Sequence, residues 1–359
     1  MASEPVLRDY GLVGPTSDAA REKGLSNAAW YRSPVPHDRI RELMKRSDGR
    51  AIRDTLLWLG IFIVSGTAGF VFWGGWWAVP AFFVYGTVWG SSSDSRWHEC
   101  GHQTAFKTKW MNAVIYHFAS FMVLREGTVW RRSHQRHHAD TIIVGLDPEI
   151  SVMRPPKLGS IALSFIGLPQ AKFYIQRVVR HALGNINAEE KTYIPDYDYG
   201  RVIWEARIHI AVYAVVAALA VATDSILPLM YVGLPSLYGA WLYILTGLTQ
   251  HAGLAEDVLD HRLVARTVYM NPVVRFLYWN MNYHVEHHMF PVVPYYALPQ
   301  LHDEMKADTP RPYSGFVEAY REIIPTLLRQ AKDPTYFVRR ELPLTARPSP
   351  QTGQAAAAS

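Results

Sequence analysis

Between Asp54 and Asp94 the chain carries no charged residue. Roughly twenty apolar residues cross a bilayer as a helix, so this stretch has room for two crossings. The first is expected over about 55–73 and the second over about 78–93, with Gly74 and Gly75 turning between them. Trp73, Trp76 and Trp77 stand at that turn like an interfacial aromatic belt. A second apolar pair follows, over about 203–223 and 226–249, with Asp224 and Pro228 at its turn. Glu205, Arg207 and His209 open its first member, so the membrane portion there is expected from about 208. The fold class this predicts is an all-α integral membrane protein. It has two transmembrane helical hairpins, four spans in all, under a cytoplasmic helical cap.

Composition agrees with that frame. Hydrophobic residues make up 49% of the 359 and charged residues only 19%, more apolar surface than an ordinary soluble core absorbs. The net charge of +5 forms no single basic block and gives no reason to expect nucleic acid. Lys45, Arg46, Arg50 and Arg53 precede the first span, and Arg96, Lys107, Lys109, Arg125, Arg131 and Arg132 follow the second. Neither hairpin turn holds Lys or Arg. The positive-inside bias puts both termini and the long segment 94–207 in the cytoplasm. The polar first fifty residues do not read as a secretory signal. Trp110–Leu124 and Leu158–Leu168 are too short for spans and read as interfacial helices. The expected division is 1–50 as an N-terminal cytoplasmic segment, 51–310 as the membrane domain, 311–346 as a C-terminal cytoplasmic segment and 347–359 as a disordered tail. The single cysteine, Cys100, excludes a cysteine-based zinc site.

Chemistry is concentrated in histidine. Of the 15 histidines, eight fall in three clusters: His98 and His102; His134, His137 and His138; His284, His287 and His288. Residues three or four apart share one helical face, so each cluster can aim its imidazoles at one place. Imidazole suits iron, zinc and copper alike. Eight exceed what one ion takes and suit two. Isolated histidines such as His37, His181 and His302 read as surface or satisfied core residues, and Arg131, Arg132 and Arg136 as solvated loop charges.

One competing motif overlaps the first cluster. His98-Glu99-Cys-Gly-His102 fits the H-E-x-x-H pattern of zinc metalloproteases, with Glu99 as general base. That reading leaves the other two clusters idle. Soluble di-iron carboxylate bundles need a second E-x-x-H, which the chain lacks, and a metal transporter would want charged groups in the spans.

The combined pattern H-x3-H, H-x2-H-H, H-x2-H-H, with two spans between the second and third clusters, resembles the membrane fatty acid desaturase and hydroxylase superfamily over roughly 50–310. Nearer still, His98-Glu-Cys-Gly-His102, Gln250-His251-Ala-Gly-Leu-Ala-Glu-Asp and Asn282-Tyr-His284-Val-Glu-His287-His288-Met-Phe-Pro resemble the rhizopine-catabolism oxygenase branch. The resemblance implies two iron ions, O2 as co-substrate and an active site at the cytoplasmic face of a bacterial inner membrane. It also implies His251 as a ninth ligand, in preference to His261. The His-Pro-Gly-Gly haem motif of fused cytochrome b5 domains is absent. Electrons are therefore expected from a separate ferredoxin, of Rieske or [2Fe-2S] type, and its reductase.

The implied reaction is oxidation of an unactivated C–H bond. Hydroxylation of an O-methyl group gives a hemiacetal that sheds formaldehyde, whereas loss of a second hydrogen from an acyl chain gives an alkene. The substrate is a small polyol such as a methylated amino-inositol, or an acyl lipid. Asp94, Glu99, Asp140, Glu256, Asp257 and Glu286 are candidates to orient imidazoles through the ring nitrogen that faces away from the metal. Asn280 and Asn282 are candidates to hold a metal-bound water.

Overall fold

The charge-free stretch forms a helical hairpin, and its turn is set by Gly74, whose φ of 85° only glycine adopts without strain. Helix α1 (Asp48–Val71) is one unbroken rod. Its return partner is not. It starts as α2 (Ala78–Gly86), passes through a π-helical segment (Thr87–Ser92), and resumes as α3 (Ser93–Gly101). The computed structural model describes residues 8–348; these are all-helical with no strand, and their β pairing is confined to two isolated bridges.

Helices α4 (Lys109–Met122), α5 (Gly127–Ala139) and α6 (Leu168–Ala182) follow, then α7 (Tyr199–Ala222). Among the described residues, two helical segments are long and apolar enough to cross a membrane as single elements, Asp48–Val71 and Asp196–Ala222. The single helix predicted over 226–249 is corrected to a broken one. It is three short helices, Leu227–Tyr231, Pro235–Tyr238 and α8 (Trp241–His251). Pro228 and Pro235 remove backbone donors, and Gly233 turns the chain at φ 105°. Hydropathy averages over such breaks and does not register them.

The broken segment and the π segment satisfy each other. Ser91 Oγ donates to the Gly239 carbonyl at 2.5 Å and accepts from the Tyr243 N–H at 2.8 Å. Trp89 Nε1 donates to Ser236 Oγ at 3.0 Å. Backbone groups freed where water is scarce need such partners. The two backbones touch: a Cβ on Gly239 would fall 1.7 Å from the Gly86 carbonyl oxygen.

Two cations counted for orientation are buried rather than superficial. Arg96 is fully buried, donates to the Leu277 carbonyl at 2.6 Å and lies 4.7 Å from the Trp279 ring centre. Arg125 lies 3.9 Å over Trp97. The chain ends also pack onto the cap. Leu43 joins the main buried cluster with Trp97, Tyr116 and Trp279. On α10 (Phe316–Gln330), Ala319 and Ile323 pack with Ala252 and Val268. Helix α4 leaves Trp110, Val114 and Phe118 exposed and buries Asn112, Tyr116 and Ala119, the one-sided pattern expected of an interfacial helix. The expected disordered tail lies, from residue 349, outside the described residues.

Candidate metal centre

Each histidine cluster sits on a short helix end that the cap holds in place. His98 is on α3 and His102 immediately follows it. His134, His137 and His138 are on α5, whose first turn is capped by Glu205 of α7, which accepts from the Thr128 N–H at 2.8 Å. A carboxylate there meets the positive end of the helix dipole. His251 closes α8, and His284, His287 and His288 lie on α9 (His284–Met289). Just past His251 the chain turns at Gly253, φ 76°, where a Cβ would come 2.6 Å from Thr326.

The nine rings converge in two adjoining groups. His98, His102, His134, His138 and His287 form one, and His137, His251 and His288 the other. His284 joins the second group, with its Nε2 2.9 Å from that of His251 and 3.0 Å from that of His288. In the first group Nε2 of His134 lies 3.1 Å from Nε2 of both His102 and His138.

The opposite ring nitrogens show how these contacts are composed. Nδ1 of His134 meets Glu149 at 2.9 Å, Nδ1 of His137 meets Asp147 at 2.8 Å, and Nδ1 of His251 meets the Val264 carbonyl at 2.6 Å. Those acceptors require the proton on Nδ1, which leaves a lone pair on each Nε2. His134 and His251 therefore point lone pairs at neighbouring ring nitrogens across about 3 Å, an arrangement that a shared cation resolves. Burial, aided by the neighbouring rings, holds His98, His134, His138, His284, His287 and His288 well below the usual imidazole value. Burial likewise brings His102 down to about 4 and His251 to about 3. His137 is raised instead: burial opposes its proton, but the Asp147 carboxylate outweighs burial. Neutral imidazoles with free lone pairs are the state that binds metal, so the donor set fits two transition-metal ions.

The carboxylates expected to orient the rings have other partners. Asp94 pairs with Arg125, Asp140 with Arg136, and Glu256 with Arg154. Asp257 accepts from the Val144 N–H, and Glu286 holds His302 at 2.5 Å. Glu99 accepts from Thr104 and from the Tyr295 N–H and touches no ring nitrogen. Asn280 binds Arg275 and the Tyr295 carbonyl, and Asn282 the Val268 carbonyl; neither contacts the histidines. In their place stand Asp147, Glu149 and Thr141, whose Oγ1 lies 3.2 Å from Nδ1 of His288. The one sequence signal for them is the acidic Asp147-Pro148-Glu149 shortly after the second cluster.

The isolated histidines behave as expected. His37 is exposed, while His181 and His302 are buried and paired with Glu126 and Glu286. The three arginines are not loop charges: on α5, Arg131 lies over Tyr116, Arg132 pairs with Asp198, and Arg136 with Asp140. His261 stacks on Trp30 with ring centres 4.2 Å apart and lies beside His288, outside both groups. A cavity of about 280 Å³ opens against His98, His134, His137, His251 and His284.

The family model for fatty acid desaturases matches residues 74–320. A curated relative, the sn-1 acyl-lipid omega-3 desaturase (ferredoxin) of Nostoc sp. (strain 36), is 43% identical over 44 residues. That match spans 12% of this chain and 12% of the relative's length.

Proposed function

Because this chain belongs to the fatty acid desaturase family, a family of oxidoreductases, we propose that it is an O2-dependent di-iron membrane enzyme that oxidises an unactivated C–H bond. The observation that carries this reading is the convergence of nine imidazoles in two adjoining groups. His98, His102, His134, His138 and His287 would hold one iron, and His137, His251, His284 and His288 the other. When bound, the irons supply O2 reduction and C–H cleavage.

The protein's own residues do the positioning. Asp147, Glu149, Thr141 and the Val264 carbonyl fix the tautomer and aim of four rings. The cavity walls keep bulk water from the reacting carbon and orient the substrate against the histidines. The reading includes four membrane crossings, the second bent by its π segment and the fourth discontinuous, with both termini and the site at the cytoplasmic face of a bacterial inner membrane. Irregular backbone is tolerated at membrane depth where protein surrounds it. The domain division 1–50, 51–310, 311–346 belongs to the same proposal. Electrons would come from a separate ferredoxin and its reductase, which the ferredoxin in the relative's name supports.

The reaction we favour is hydroxylation, with O-demethylation of a methylated polyol, as in the rhizopine-oxygenase branch. The second reading is desaturation of an acyl lipid, supported by the Nostoc relative. Protein purified in mild detergent without chelator should carry close to two irons per chain and consume O2 with reduced ferredoxin. Labelled O-methyl cyclitol should release formaldehyde, whereas labelled oleoyl lipid would gain a second double bond if the second reading holds. One zinc per chain with peptide hydrolysis would overturn both. Reporter fusions after Ser359 and within 140–155 should report cytoplasm and one at Gly74 the far side; a C-terminus outside the cytoplasm overturns the topology.

A further inference from the structure

Helix α8 brings one ligand and one wall of the cavity on the same face. Tyr243, Gly247, Gln250 and His251 are spaced by four, three and one, so they line one side of the helix, and all four line the cavity. Gly247 stands between the tyrosine and the histidine, and a Cβ there meets nothing within 4 Å. The helix therefore leaves an opening beside its ligand.

Across from it lies a charged pair that the metal site does not use. Asp94 and Arg125 are both buried, and their carboxylate and guanidinium are paired. Neither touches a histidine of the two groups. A buried ion pair is a poor source of stability, since desolvation offsets its attraction, and well-packed apolar residues often serve as well. Asp94 gives Oδ1 to Arg125, and no described residue donates to its Oδ2. Arg125 reaches the Tyr243 hydroxyl only at 3.4 Å. Buried polar groups with unused capacity, facing a cavity, are positioned for a ligand.

The distance from this pair to the histidines sets the size of that ligand. The Arg125 guanidinium lies 3.9 Å over Trp97, and the Trp97 ring centre lies 5.2 Å from that of His134. A single aromatic layer separates the anchor from the metal site. In an acyl lipid oxidised along its chain, many methylenes separate the polar head from the reacting carbon. Such a substrate would place its polar group far from the histidines, not one ring away.

We propose that this cavity binds a compact substrate whose hydroxyl or ammonium group is held by Asp94, with Arg125 and Tyr243, a few bonds from the carbon that is oxidised. The proposal rests on the oxidase reading above and adds the residues that select the substrate. Asp94 accepts from the donor group, and Arg125 and Tyr243 hold neighbouring oxygens. Gly247 sets how much of the ring fits.

The test uses full-length, iron-loaded protein in nanodiscs, with an O-methyl amino-inositol and oleoyl phosphatidylcholine as labelled probes. Wild type should bind the cyclitol saturably. Asp94→Asn and Tyr243→Phe should each weaken binding, the former by about tenfold or more for loss of a charged partner. Gly247→Leu should abolish binding by filling the opening, with iron content unchanged in all three variants. Saturable lipid oxidation that ignores Asp94→Asn and Tyr243→Phe, with no cyclitol binding, would overturn this assignment and leave the oxidase reading standing. Protein that takes up no iron and consumes no O2 with reduced ferredoxin would remove the reading and the assignment together.

Discussion

Nδ1 of His134 lies 2.9 Å from Oε2 of Glu149, and the other oxygen of that carboxylate accepts from Ser133 at 2.7 Å. The carboxylate is thus pinned at both oxygens and fixes the imidazole's tautomer and direction. Glu149→Gln should lower iron affinity by about 10- to 100-fold, the usual cost of losing such a partner. Competition with a chelator measures it. Glu99→Gln, one residue from a ligand but in contact with no ring, should leave affinity close to wild type. The reverse ranking would mean that Glu99, not Glu149, supports the site.

His251 and His261 lie ten residues apart and should separate cleanly. His251 meets His284 at 2.9 Å, whereas His261 stacks on Trp30. His251→Ala should cost the second group its ion, leaving close to one iron per chain with the protein still folded in detergent. His261→Ala should retain iron and lose stability on the order of 1 kcal/mol for the broken ring pair. Iron lost from the His261 variant and kept in the His251 variant would show the ninth ligand misassigned.

The backbone contact between Gly86 and Gly239 makes a further prediction. Gly239→Ala would force a methyl group to within 1.7 Å of a carbonyl oxygen, so the variant should yield little monodisperse protein on size exclusion. Gly60→Ala, in the middle of α1 with open space around it, should instead gain roughly 0.5–1 kcal/mol in helix stability. Equal behaviour of the two variants would remove the close crossing.

A buried network apart from the metal site should give a pH signature. His181 lies 2.7 Å from Glu126 and 3.1 Å from Glu190. Burial disfavours its proton, but the hydrogen bond to Glu126 and the nearby Glu190 carboxylate raise it above the ordinary 6.5. Burial pushes Glu190 up, yet His181 and Arg180 together hold it at about 2. The histidine's contribution is full below 6.5 and is lost as pH rises through its elevated value. The glutamate's is full above 4.5 and is lost as pH falls toward 2. The network is therefore strongest between 4.5 and 6.5. The apparent melting midpoint should fall from that window toward alkaline pH, and His181→Gln should flatten the fall. An unchanged profile in the variant would assign the slope to other groups.

Much of this was legible because it is periodic. The first and third predicted spans correspond to single helices because each holds an apolar stretch of 18 residues that no proline interrupts. The histidines of each box converge because positions three and four apart share a face. The interruptions were not legible. The π segment at Thr87–Ser92 has no residue pattern of its own and lies where Gly86 and Gly90 let the 235–239 backbone come close. Nor do Asp147 and Glu149 announce their partners. They reach His137 and His134 through a loop that turns at Gly145, φ 82°, a tertiary contact with no fixed offset in sequence. Asp94 seemed a companion of the histidines by proximity in sequence, but its side chain leaves toward Arg125.

Neither group of imidazoles can be assembled from one half of the chain. The first draws on His98 and His287, the second on His137 and His288, so both wait for the last short helix. During synthesis, the first two boxes emerge from the ribosome long before their partners, so neither group has its full set of imidazoles until the third box arrives. If the two groups hold iron as proposed, completion of both sites is therefore the closing event of biogenesis. A molecule truncated after residue 251 would lack His284, His287 and His288, and added metal could complete neither group.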